Sequence, residues 1–145
     1  MTKNTQKIDR IVERMYSEWR RAMLAYWVLG LLLLRPMYGL EIKEEIKRKT
    51  EGKFDLRPST LYQMLMRMDK QGLLQKEWMR STQGPPRAYY QTTPAGREVM
   101  RRYLTEVLTP GSPISNAMGE ITAQMFAYFY GGSDDINRPG DPVSR

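Results

Sequence analysis

Apolar positions early in the chain recur at Ile8, Val12, Met15, Trp19, Ala22, Tyr26, Leu29 and Leu33. This unbroken alternation of fours and threes predicts one long helix over Thr5–Leu34 with a heptad seam. Arg10, Glu13, Arg14, Arg20 and Arg21 are expected to stay solvated beside that seam. Beyond Trp27 the segment is apolar on every side, as for a helix entering a core. Arg35-Pro36 ends it, because proline disfavours helical geometry at the residue before it.

The 3.6-residue period resumes over Gly39–Thr50, where Ile42 and Ile46 share a face. Outside, Glu44 with Arg48 and Glu45 with Lys49 place opposite charges four residues apart. A connector, Lys53 to Leu56, leads to Pro58, well placed as the first residue of a third helix running to Gln71. Gly72 stands where a left-handed residue commonly ends a helix. The period then shortens. Leu73–Ser81 and Ala88–Thr92 read as strands around the turn-rich tip Thr82 to Arg87, and one of Tyr89 and Tyr90 is expected to face the core. Thr93-Pro94 starts a fourth helix reaching about Leu108, with threonine as cap and proline just inside. Pro110 and Pro113 interrupt, and a last helix runs from about Ile114 to Tyr130.

Three helices followed by a two-stranded hairpin give a mainly α fold with a small β-hairpin. This is a winged helix-turn-helix with a long N-terminal helix and an added C-terminal helix. The expected organisation is a winged helix-turn-helix domain over 1–109, a C-terminal dimerisation helix over 110–131 and a disordered tail over 132–145.

Charge narrows the partners. Formal net charge is +7. Residues 1–109 hold 21 Lys and Arg against 12 Asp and Glu, whereas residues 110–145 hold 2 against 4. The positive field therefore belongs to the winged-helix portion, and a field of that sign favours a polyanion. With neither cysteine nor histidine, zinc sites of the usual kind, disulfides and cysteine or histidine chemistry are excluded. No metal, cofactor or enzymatic role is expected. The longest charge-free apolar run, Ala22–Leu34, is too short to span a bilayer. The N-terminus lacks the layout of a signal peptide, so no membrane association and a cytoplasmic location are expected.

From about Leu29 to Gly96 the chain resembles the PadR family of transcriptional regulators. The residues that carry the resemblance are Leu31-Leu32-Leu33-Leu34-Arg35-Pro36-Met37-Tyr38-Gly39-Leu40-Glu41-Ile42, then Arg57-Pro58-Ser59-Thr60-Leu61-Tyr62, Leu65 and Gly72-Leu73. Gly84-Pro85-Pro86-Arg87-Ala88-Tyr89-Tyr90 and Thr93-Pro94-Ala95-Gly96 complete it. The resemblance implies a homodimer that binds operator DNA and represses transcription, in the branch where a single short C-terminal helix makes much of the dimer. Two positions depart from the family pattern. Arg57 stands where serine usually caps the third helix, a loss of about 1 kcal/mol unless Ser59 or Asp55 substitutes. Gln63 replaces a common proline and changes what that helix can read.

On the third helix Leu61, Leu65 and Met68 form the core stripe, with Met64 at its border. Ser59, Thr60, Tyr62, Gln63 and Arg67 lie on the outer side, where a winged helix enters the major groove. Glutamine can pair with adenine, and arginine with guanine or phosphate. Arg57, Tyr38, Lys43 and Arg87 are further candidates for double-stranded DNA; for Tyr38, packing on the first helix is the competing expectation. Ile114, Met118, Ile121, Met125 and Tyr128 repeat the spacing of the first helix. This second seam is expected to pack on a partner's Val12, Met15, Trp19 and Ala22 in a homodimer, rather than on the fourth helix of its own chain. Met15, Trp19 and Tyr26 are candidate contacts for a small aromatic effector, weighed against a plain interface core. The alternative function is a winged-helix protein-interaction module without specific DNA binding.

Overall fold

The computed structural model describes residues 2–131; the expected tail over 132–145 lies outside the described residues. Helix α1 spans Lys3–Leu34, capped by the Thr2 hydroxyl, which accepts from the Thr5 N–H at 3.2 Å. Its buried residues are Leu24, Val28, Leu29, Leu31 and Leu32, all in the C-terminal third. The seam residues before them, Val12, Met15, Trp19 and Ala22, remain exposed.

Strand β1 (Met37–Tyr38) follows Pro36, then α2 (Gly39–Lys49) and α3 (Pro58–Lys70). Between the helices, Thr50 donates its hydroxyl to the Ile46 carbonyl at 2.8 Å and accepts from the Phe54 N–H at 3.1 Å. These two hydrogen bonds of one side chain fix the connector and turn Phe54 into the core. Glu51 and Gly52 carry the chain away from α2 with φ of 51° and 80°. Helix α3 ends in a Schellman motif: Gly72, at φ 77°, donates to Asp69, and Leu73 donates to Met68.

Strands β2 (Leu74–Met79) and β3 (Arg87–Thr92) form the wing. β3 is central in a three-stranded antiparallel sheet ordered β1-β3-β2, with Met37 opposite Tyr90 and Tyr38 opposite Tyr89. The hairpin expected from sequence thus gains a third strand. Tyr90 is the buried member of the tyrosine pair. Helix α4 (Pro94–Tyr103) begins with the Thr93 hydroxyl accepting from the Gly96 N–H at 3.1 Å. Gly96 has no room for a side chain, since a Cβ there would run into the Leu73 carbonyl.

The core joins these pieces through Val28, Leu32, Ile42, Ile46, Leu61, Leu65 and Leu74, all essentially inaccessible. Each such side chain contributes roughly 1.5–3 kcal/mol by leaving water. Met64 is also buried, deeper than its border position on the helix wheel implied. No helix among the described residues is long and apolar enough to cross a membrane.

By compactness the chain divides between Met100 and Arg101. In the second unit the helix that starts at Pro94 does not stay α-helical to Leu108. It passes at Leu104 into one turn of π-helix, Leu104–Leu108, closed by the Thr109 N–H on the Leu104 carbonyl at 2.8 Å. The Thr109 hydroxyl caps the same carbonyl at 2.9 Å. Helix α5 spans Pro113–Tyr130 and is capped by the Ser112 hydroxyl. It buries no residue, and Ile114, Met118, Ile121 and Met125 are all at least 49% exposed.

Candidate nucleic-acid interface

Helix α3 presents an exposed face because its other face is fully committed. Leu61, Met64, Leu65 and Met68 are buried, so Ser59, Gln63, Met66 and Lys70 are turned outward by the helical repeat. Thr60 and Arg67 flank that face on one side and Tyr62 on the other. The N-terminus of α3 carries no side-chain cap: Arg57 occupies the cap position, and neither Ser59 nor Asp55 replaces the missing hydroxyl. Its free N–H groups leave a partial positive charge at the start of the exposed face.

Tyr62 leans over the start of α2. A Cβ built on Gly39 would lie 2.8 Å from Tyr62 Cε1, so only glycine leaves this ring its place. Tyr38 is half-buried, with its ring edge-on to Tyr89 at 5.3 Å. The Arg87 guanidinium lies over the Tyr38 ring, 4.4 Å from its centroid. Arg87 is the first residue of β3, paired with Met79, and not part of the hairpin tip as expected from sequence. The stacking holds a cation beside the α2 N-terminus instead of at the end of the wing.

Lys43 is less available than its position on α2 implied. Its Nζ donates to Asp55 Oδ1 at 2.9 Å, and Lys47 lies 3.5 Å from the other carboxylate oxygen. The Lys43 bond, together with both lysine charges, holds the Asp55 carboxyl below its ordinary value, and the same hydrogen bond raises Lys43. On α2, Arg48 pairs with Glu45 at 2.6 Å rather than with Glu44 as expected, and Lys49 shares that carboxylate at 3.5 Å. A single glutamate takes both cations because i,i+3 and i,i+4 neighbours lie on one face.

Arg20 also departs from expectation. Sequence spacing left it solvated, but it is partly buried, with its guanidinium 4.4 Å from the Tyr16 centroid and 5.6 Å from that of Phe54. The nearer ring, Tyr16, is its i−4 neighbour on α1, and the second, Phe54, comes from the α2–α3 connector, which no local pattern on α1 reveals. Phe54 also meets Trp27 and Trp19 edge-on, at 4.8 and 5.9 Å. Trp19 is thus engaged on one side of α1 and 48% exposed on the other. Of the candidate effector contacts, Tyr26 lines an apolar cleft of about 360 Å³ with Trp27, Gly30, Leu31 and Leu34, which Met15 and Trp19 do not line. No cluster of acidic side chains suited to a metal ion occurs among the described residues.

The exposed α3 face, the uncapped helix start and the stacked Arg87 lie on the helix-turn-helix and wing of a winged-helix fold. Comparison with known proteins agrees with that architecture. A protein of Lysinibacillus sphaericus without an assigned function is 31% identical over 92 residues, covering 63% of this chain and 81% of its own. The crystal structure of a PadR-like transcription factor from Bacteroides fragilis matches with TM-score 0.57 and 29% identity, over 77% of this chain and 98% of that one. A PadR family regulator from Eggerthella lenta gives TM-score 0.58 and 28% identity, over 85% and 95%. Bacillus subtilis PadR, solved with operator DNA, shares the fold at 17% identity and TM-score 0.54, over 73% and 60%. The transcriptional regulator PadR-like family profile matches residues 28–102, a stretch that contains every element from the end of α1 to α4, and the chain belongs to that family.

Proposed function

We propose that this regulator is a sequence-specific DNA-binding repressor that acts as a homodimer on a pseudo-palindromic operator in the cytoplasm. One observation carries the DNA reading. Ser59, Thr60, Gln63, Arg67 and Lys70 line the exposed outward side of α3, interrupted by Met66, and the fold has left them nothing of its own to bind. Gln63 and Arg67 supply base-edge chemistry; Ser59, Thr60, Tyr62, Arg57 and the Arg87–Tyr38 stack supply backbone contacts. Lys43 joins them only by sharing itself with Asp55. Residues 1–109 act as the DNA-binding part and 110–131 as the dimerisation helix.

The dimer reading rests on two unpartnered stripes. Val12, Met15, Trp19 and Ala22 on α1 face solvent, as do Ile114, Met118, Ile121 and Met125 on α5, with Tyr128 half-buried beside them. A monomer gains nothing from two such seams, whereas a second copy covers both. With Trp19 already held by Trp27 and Phe54, the α1 stripe serves as interface packing.

Selection of duplexes from a random pool by the purified chain tests the proposal. The expected product is a repeated half-site with centres about one helical turn apart. Equal affinity for selected and random duplex at matched salt would refute sequence-specific reading.

A further inference from the structure

We propose that the DNA interface extends onto α1, where Arg20 and Arg21 with Lys53 bind a phosphate of the DNA strand bordering the groove that α3 enters. The inference rests on the DNA-binding reading above and adds three residues to it. Arg20 and Arg21 converge with Lys53, Arg57 and Arg67 on one open cleft of about 650 Å³ between α1, the α2–α3 connector and α3. Five cations therefore line one recess. Its sole carboxylate, Asp55, is already bound by Lys43 and Lys47. Among the described residues none of the five cations forms an ion pair. Like charges so gathered repel one another, and a bound anion removes that repulsion.

Three further features give the cleft the character of a phosphate site. The Arg20 guanidinium is held over the Tyr16 and Phe54 rings, and its Nε is buried without a hydrogen-bond acceptor. A guanidinium held in this way presents a planar fork of donors suited to a phosphate. The uncapped start of α3, with Arg57 and Thr60 in the lining, brings free N–H groups and the positive helix end to the same place.

The cleft also lies on the side of α1 opposite the seam. Ser17, Arg20, Arg21 and Leu24 share one face, and Met15, Trp19 and Ala22 share the other. Dimerisation through the seam leaves the cleft open. Because Gln63 and Arg67 belong both to the cleft and to the reading face, DNA lying against α3 brings its backbone to the cleft.

The test measures anisotropy of a labelled random-sequence duplex of about 30 base pairs against salt, with the full chain and with Arg21→Ala/Lys53→Ala. Each lost phosphate contact lowers the slope of log affinity against log salt by about 0.9. The double variant is expected to lose about 1 to 2 in slope and roughly tenfold or more in affinity near 0.1 M salt. Both side chains are exposed, so its melting temperature should be unchanged or higher. Arg21→Glu should lose more affinity, and Lys7→Ala, about 20 Å further along α1, should lose little. Wild-type binding with an unaltered slope in both cleft variants overturns the proposal and leaves DNA binding intact. Absence of any wild-type duplex binding at low salt overturns both. If pyrophosphate displaces duplex from wild type beyond an ionic-strength-matched chloride control, and the cleft variants abolish only that effect, the cleft takes a free phosphate and the backbone assignment falls.

Discussion

The Tyr62 ring rests against the Cα of Gly39, at a spot a methyl group would occupy, 2.8 Å from the ring carbon. A glycine at the start of α2 thereby sets the orientation of an aromatic side chain on α3. Alanine at position 39 would push the ring aside rather than break the fold, because the obstructed atoms are the far end of a half-exposed side chain. Gly39→Ala is expected to change unfolding free energy by less than about 1 kcal/mol while weakening DNA binding roughly fivefold. Paired denaturation and anisotropy titrations measure the two effects separately. A large stability loss with unchanged DNA affinity would show that Tyr62 serves only packing.

Gly96 meets the opposite situation. Its would-be Cβ runs into the Leu73 carbonyl, a backbone atom that cannot swing away. Thr93 ties the same junction, donating its hydroxyl to the Gly72 carbonyl and its N–H to that of Leu73 at 3.0 Å. Gly96→Ala should cost about 1–3 kcal/mol by overpacking, seen as a lower urea midpoint with an unchanged slope.

Glu51 holds a left-handed conformation at φ 51° just past the end of α2. Glycine adopts that geometry without penalty. Glu51→Gly is expected to stabilise the domain by about 0.5–1 kcal/mol, after the extra chain entropy of glycine is set against the relief of strain. Calorimetry giving a lower melting temperature would contradict this.

Asp55 restrains Lys43 and Lys47, so its effects on stability and on DNA binding have opposite signs. Its carboxyl sits below the ordinary 3.8, so the stabilisation is complete above that pH and is lost as pH falls through the lower folded value. Lys43 sits above its ordinary 10.5, so its share is complete below that pH and is lost as pH rises through the higher folded value. Asp55→Asn should flatten the acid limb of the stability profile and, by releasing two lysines beside α3, tighten duplex binding severalfold at low salt. Unchanged affinity would show that the released lysines do not reach DNA.

The two seams predict a reciprocal charge swap. Met15→Lys or Met125→Glu alone should raise the dimer dissociation constant by about 100-fold, since either strands a charge in an apolar seam. The double variant should recover part of that loss if the seams meet across the dimer axis. Light scattering over a dilution series provides the measurement, and full dimerisation of both single variants would rule out this interface.

What sequence revealed and what it hid follow a physical division. The α1 seam, the α3 core stripe and the Thr93 cap depend on spacing along one element, and spacing is visible in a string of residues. Strand β1 has only two residues and exists through its pairing with Tyr89 and Tyr90, about a third of the chain away. The ion pair of Lys43 and the second ring over Arg20 depend on Asp55 and Phe54, both delivered by the connector that Thr50 fixes. The π-turn after Tyr103 has no distinct hydrophobic period of its own. For β1, Lys43 and the second ring over Arg20, the deciding partner lies outside the element being read.

The short strand β1 carries a mechanical consequence. By pairing Met37 and Tyr38 with β3, it fastens the wing to the first residues of α2, so the hairpin cannot pivot without carrying that helix along. The separation between what α3 touches and what the wing touches is therefore set when the protein folds. If α3 and the wing both touch DNA as proposed, that separation acts as a ruler, and DNA whose grooves do not match it must bend to be bound.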